Sequence, residues 1–410
     1  MLLSPDGPHL TYCTNIHAAD GWDAVFANLR RIAPQLKARL APSDPFGIGL
    51  RLSAREAREL LQPGQLDEFR SFLDGEGLYV DIINGFPYGH FHGSPVKAEV
   101  YAPDWRNDAR VRYTLDLIEI LSRLLPGSPG SDGGVSTAPL SYKAWMRLDD
   151  ETGWETITRN VARVAEALVR MREERGTLIH LDIEPEPDCL LETTAETVEF
   201  FERRLLPDGG VALAAALAVS LVNARALLLE HIRVCFDCCH VSVEHEDPRA
   251  ALALYQHAGI RIGRVQLSSA LDVRWPADSV EASRVAARLT PFADPVYLHQ
   301  VVERRDDEQR QFPDLDEALR SSAGAGAKHW RIHFHVPLFT SEYDGLGSTQ
   351  RDVGTVLQLA QETPFTRHLE IETYTWDVLP GDLKIDVVNS IVREYEWVLD
   401  AMRAKNRSSP

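Results

Sequence analysis

The chain is short of positive charge: 43 Lys and Arg stand against 61 Asp and Glu in 410 residues, a formal charge of −18. A surface of that sign repels a phosphate backbone, so nucleic-acid binding is excluded as a first function. Cysteine is scarce and odd in number, with Cys13, Cys189, Cys235, Cys238 and Cys239 only. That count excludes a disulfide scaffold in a chain this long and fits a reducing, cytoplasmic setting. Long apolar runs are missing: no stretch approaches the roughly 18 residues a membrane span needs. The start, M-L-L-S-P-D-G-P-H, has no basic region of the signal-peptide kind. Low-complexity tracts are absent as well.

What is present is an ordinary core-forming composition, 44% hydrophobic and 25% charged, arranged as strand-like runs alternating with helical periodicity. Strands are expected at His9–Ile16, Phe46–Ser53, Gly77–Phe86, Val135–Tyr142, Leu178–Pro187, Ile232–Val243 and Arg264–Ser269. Helices follow over Gly21–Leu40, Ala54–Leu73, Arg106–Leu125, Trp154–Arg175, a region reaching His231 with a break at Pro207–Gly210, and Arg249–His257. So many repeats of the βα unit favour a closed (β/α)8 TIM barrel over an open sheet. The spacing then fails across 271–328, which reads as an insertion between strands seven and eight. Strands at Trp330–Phe339 and His368–Trp376 and a helix over Ile385–Met402 follow, one strand too many for eight places. A single domain over 1–402 with a flexible tail at 403–410 is the expected organisation.

Strands buried on both faces should be continuously apolar. Four of these instead alternate: His180, Asp182, Glu184 and Glu186; Arg264, Gln266 and Ser268; Arg331, His333 and His335; His368, Glu370 and Glu372. With the apolar sets facing outer helices, the polar sets point into the lumen, where uncompensated carboxylates cost several kcal/mol per ion and a divalent metal removes that cost. Solvated faces at sheet edges are the competing explanation. Asp237 and His240, three residues apart where strand six ends, form a hard-plus-borderline pair suited to Mn, Zn, Fe or Mg. The alternative there is a helix N-cap followed by a surface histidine. The C-x-x-C of Cys235 and Cys238 has no second pair, which favours packing thiols over a zinc or redox site.

These residues resemble the xylose isomerase-like TIM barrels, which include sugar isomerases, ketose 3-epimerases and endonuclease IV. L-D-I-E-P-E-P is similar to their first ligand element, F-D-C-C-H to their D-T-x-H element, R-V-Q-L-S-S to their H-x-H element and L-E-I-E-T to the last strand. The resemblance implies a metal held by Glu184, Asp237, His240 and Glu372, with Gln266 where a histidine is usual and His333 or His335 able to replace it. It implies Glu184 or Glu372 as catalytic base, Glu186 and Arg331 as substrate contacts, and His17, His90, His92 and Trp376 around the mouth. More closely, T-Y-C-T-N-I-H, N-G-F-P-Y-G, S-T-A-P-L-S-Y-K, E-P-E-P-D-C, H-F-H-V-P-L-F and E-T-Y-T-W resemble the EboE family of metabolite traffic proteins. That implies work on a small polyhydroxylated metabolite beside other proteins of one gene cluster. Three functions follow: a metal-dependent isomerase or epimerase, a non-catalytic metabolite-binding scaffold, and an endonuclease IV-like phosphodiesterase, which the charge disfavours.

Overall fold

A computed structural model describes the chain except residues 6, 90–95, 126–130, 307, 322–327, 380, 382–383 and 405–410. His90 and His92, and all but the start of the expected tail, lie outside the described residues. Seven strands alternate with helices: β1 (His9–Tyr12), β2 (Phe46–Arg51), β3 (Leu78–Asn84), β4 (Asp132–Thr137), β5 (Leu178–Ile183), β6 (Ile232–Asp237) and β7 (Ile262–Leu267). They pair in parallel and in sequence from β2 to β7. The eighth barrel place is taken by β14 (His368–Ile371), which pairs β7 on one side and β1 on the other. A parallel bridge between Cys13 and Gly49 brings β1 against β2 and closes the ring. Apolar faces such as Ile179, Leu181 and Ile183 pack outward into the helical layer, where Leu117, Ile157, Val161 and Leu228 are fully buried.

Between β7 and β14 the chain builds a second, antiparallel sheet: β8 (Ser269–Trp275), β9 (Val301–Arg305), β10 (Glu308–Phe312), β11 (Lys328–Val336), β12 (Glu342–Tyr343) and β13 (Leu346–Ser348). Its order is β10-β9-β11-β8-β13-β12, and it extends beyond the expected 271–328. It has its own core around Leu271, Trp275, Phe292, Trp330 and Phe334. The strand carrying Arg331, His333 and His335 therefore does not face the lumen, as its alternation suggested. It belongs to this sheet, which packs on the short helix Cys238–Val243 at the barrel mouth. The expected break at Pro207–Gly210 also fails. The helix widens to π-type turns over Phe201–Gly209, a geometry that takes in Pro207, whose ring would meet the i−4 carbonyl in a regular α-helix, and turns only at Ala218, φ +54°. Among the described residues no single helix is long and apolar enough to cross a membrane.

The lumen is polar because it is charge-matched. Arg264, wholly buried, donates to Asp182 (3.1 Å), Glu370 (3.4 Å) and the Gly134 carbonyl (2.5 Å). Asp182 also accepts from His180 at 2.5 Å. Small residues on neighbouring strands make the room: a β-carbon at Gly49 would stand 1.6 Å from Glu370 Oε1, and one at Gly263 would stand 1.8 Å from Asp182 Oδ1. Below them His368 lies between Asp81 (3.1 Å) and Asp132 (3.3 Å). Burial alone would lower its pKa, but the hydrogen bonds to both carboxylates outweigh burial and push it up to about 9.

Removing Arg264 strands two buried carboxylates, so Arg264→Met is expected to destabilise the fold by about 3–5 kcal/mol in urea unfolding. The charged form of His368 is favoured only in the folded state, so its contribution is full below its ordinary 6.5 and lost as pH rises through about 9. The unfolding midpoint should accordingly fall across that window, and His368→Gln should flatten the fall.

Candidate metal centre

Barrel sites form where strands end and backbone turns outward, at the C-terminal face. Here Asp237 is the last residue of β6, Glu184 directly follows β5 and Glu372 directly follows β14. One oxygen of each comes close enough to the others to hold a single ion. Asp237 is the helix cap its spacing allowed, and it also lies among the candidate donors. Its Oδ1 caps the helix Cys238–Val243, accepting from His240 N (2.9 Å) and from the Ser268 hydroxyl (2.7 Å), while Oδ2 is buried with no hydrogen-bond partner among the described residues. Glu372 Oε1 accepts from Asn15 (2.8 Å) and Asn84 (3.2 Å), polar residues at the ends of strands one and three that the sequence reading passed over.

The histidines arrive from above. A register shift in β11 between Ile332 and Val336 frees His333 and His335 from regular pairing and aims both down at the mouth. His335 Nδ1 lies 3.0 Å from the Glu372 carbonyl oxygen, which can only accept, so Nδ1 carries the hydrogen and Nε2 offers its lone pair. His335 Nε2 groups with Asp237 and His240. An imidazole is thus restored to a mouth where Gln266 stands in place of one. Gln266 itself is buried, in register with Asp237 on one side and Glu370 on the other.

Glu184 Oε2, Asp237 Oδ2, Glu186 Oε2 and His335 Nε2 are buried with no hydrogen-bond partner among the described residues. Burial, then the charges of Glu372 and Asp237, push Glu184 well above the usual carboxylate range. Burial, then Asp237 and Glu370, do the same to Glu372. Burial also lifts Glu186 to about 7 and lowers His335 to about 4. Acceptors crowded this way fit a divalent cation with oxygen and imidazole ligands. The cavity at the mouth is about 50 Å³ and is walled further by Phe86, Lys97, Tyr101, Tyr297 and Tyr374.

Other expected residues are elsewhere. Arg331 donates to the Ser242 carbonyl (2.7 Å) and faces Asp352 (3.5 Å). His17 bonds Tyr12 (3.2 Å) and lines a separate small cavity with Thr14, Asn15 and Arg51. The Trp376 indole donates to the Ile385 carbonyl (3.1 Å). All five cysteines are free and buried.

Among solved structures, the chain is similar to a xylose isomerase-like TIM barrel protein from Mycobacterium smegmatis in complex with magnesium. The TM-score is 0.53 with 11% identity over 97% of each chain. The chain has the xylose isomerase-like TIM barrel fold. A D-tagatose 3-epimerase-like protein (TM-score 0.49, 11% identity, 97% of this chain and 98% of that one) and the IOLI protein with a bound zinc atom (0.46, 13%, 97% and 98%) also match. No family model and no curated protein matches the sequence.

Because the buried acids repel one another when no cation is bound, Glu184→Gln should raise the melting temperature of metal-stripped protein. The same variant should lose most of the wild type's gain in melting temperature on adding Mn²⁺ or Zn²⁺, both read by calorimetry.

Proposed function

We propose that this protein is a metal-dependent isomerase or epimerase of a small polyhydroxylated metabolite. Glu184, Asp237, His335 and Glu372 would hold the cation. The observation that carries the reading is the convergence of unpartnered, buried donor atoms on the C-terminal face of the barrel. A cation bound there polarises neighbouring hydroxyl and carbonyl oxygens of a substrate. Glu184 and Glu372 are the proton carriers, since each has a second carboxylate oxygen beside the one given to the cation. Asn15 and Asn84 orient Glu372, and Glu186, held by the Tyr101 hydroxyl at 2.8 Å, lines the cavity as a substrate contact.

The metal-bound neighbours and the epimerase-like neighbour are consistent with this chemistry, as is the resemblance to metabolite traffic proteins, which suggests partners from the same gene cluster. A non-catalytic scaffold is the second reading, prompted by Gln266; His335 weakens it by supplying the imidazole from the second sheet. Phosphodiester cleavage is disfavoured by the formal charge of −18.

Metal-loaded protein incubated in D₂O with a panel of ketoses, aldoses and keto-polyols should incorporate deuterium next to the carbonyl of its substrate, read by NMR. Glu184→Gln and Glu372→Gln should each cut the exchange rate by about 10²–10⁴-fold. Tight binding without exchange across the panel would favour the scaffold instead.

A further inference from the structure

His240 and His333 approach each other in a way that one cation at Glu184, Asp237, His335 and Glu372 does not use. His240 Nδ1 lies 2.8 Å from the Pro185 carbonyl oxygen. A carbonyl only accepts, so His240 carries its hydrogen on Nδ1. His333 Nδ1 lies 2.7 Å from Gln300 Oε1. The orientation of that amide is set independently, because Gln300 Nε2 donates to the Pro187 carbonyl (3.1 Å) and to the Tyr101 hydroxyl (3.0 Å). Gln300 therefore offers oxygen, and His333 too carries its hydrogen on Nδ1.

Both Nε2 lone pairs are then left facing each other, 3.1 Å apart, with the ring planes crossed at 80°. Two acceptors in that arrangement repel unless something positive lies between them. Nitrogens bound to one tetrahedral zinc at about 2.0–2.1 Å stand roughly 3.3 Å apart, so the separation is that of two ligands on one ion. A third donor is in place. Glu186 is 5% exposed, its Oε1 is held by Tyr101, and its Oε2 has no hydrogen-bond partner among the described residues. Glu186, His240 and His333 can each present one atom to a common ion, and all three line the cavity.

We propose that the mouth holds a second cation, bound by Glu186, His240 and His333, with its remaining position open to the cavity. Two imidazoles and one carboxylate select a borderline ion such as Zn²⁺, Fe²⁺ or Mn²⁺ over Mg²⁺ or Ca²⁺. The Nδ1 hydrogen bonds to Pro185 and Gln300 are what orients both rings for that role. The first site, with three carboxylates and one imidazole, is the harder of the two. The centre is therefore binuclear, and His240, whose one free lone pair goes to the second ion, also lies beside Asp237 and His335 of the first site. This assignment rests on the proposed first metal site, and its ligands come from the barrel and the second sheet together.

The test is elemental analysis of full-length protein, stripped with a chelator, saturated with Zn²⁺ and desalted. Circular dichroism checks that each variant is folded. Wild type should retain two equivalents, and His333→Ala, Glu186→Gln and Glu184→Gln one each. One equivalent in wild type, kept by His333→Ala and Glu186→Gln and lost by Glu184→Gln, would mean that a shared proton rather than a metal joins the two imidazoles. That result overturns the second site and leaves the first intact. No retained metal overturns both.

Discussion

Acidic side chains inside a closed barrel must meet positive charge there, because a low-dielectric interior makes an unpaired carboxylate cost several kcal/mol. The chain solves this differently at two levels. In the lumen, Arg264 answers Asp182 and Glu370, and protonated His368 answers Asp81 and Asp132. At the mouth, Glu184, Glu186, Asp237 and Glu372 gather with His240, His333 and His335, and burial and the neighbouring acids push Glu184 and Glu372 above the usual carboxylate range. The lower level is a structural salt-bridge network that stiffens the barrel. The upper level holds its acids by neutral donors such as Asn15, Asn84, Tyr101 and Ser268, and that contrast between adjacent layers makes the mouth chemically distinct.

The second sheet completes the mouth. It has a core of its own, so it can be inserted after β7 without disturbing the pairing of β7 with β14. Its interruption in β11 turns an otherwise ordinary antiparallel strand into a carrier of two histidines. The hydrogen bonds from their Nδ1 atoms, to the Glu372 carbonyl and to Gln300, tie each ring to a different part of the molecule: the end of the last barrel strand, and a residue linked back to Pro187 beside β5.

The barrel was legible because strand period and helix period alternate along the chain, and the mouth carboxylates because they fall in phase with apolar neighbours on L-D-I-E and L-E-I-E. Asp237 and His240 were legible by spacing, although spacing could not tell a helix cap from a ligand; the cap is what Oδ1 of Asp237 forms, and its Oδ2 is left without a hydrogen-bond partner among the described residues. The alternation in R-I-H-F-H was misleading, since period two describes any half-buried strand and says nothing about which sheet it joins. Placing His335 depends on how an insertion docks some 70 residues after β7, a long-range packing result without a local sequence mark. The lumen network was half visible: Arg264 and His368 were seen as polar inward residues, but their role as counter-charges emerges only once Asp182, Glu370, Asp81 and Asp132 are seen around them. Asn15 and Asn84, sitting at strand ends, carried a signal that the positions of β1 and β3 could have exposed.

A covering element usually opens as a hinged flap to admit what binds beneath it. Here the cover contributes His333 and His335 and is also tethered through Arg331 to the Ser242 carbonyl and Asp352. Lifting it would carry two of the proposed metal ligands away from the barrel, so the second sheet serves as a fixed roof. The cavity beneath it, about 50 Å³, is bounded also by Phe86, Lys97, Tyr101, Tyr297 and Tyr374, so roof and side wall together set how large a group fits beside the donors.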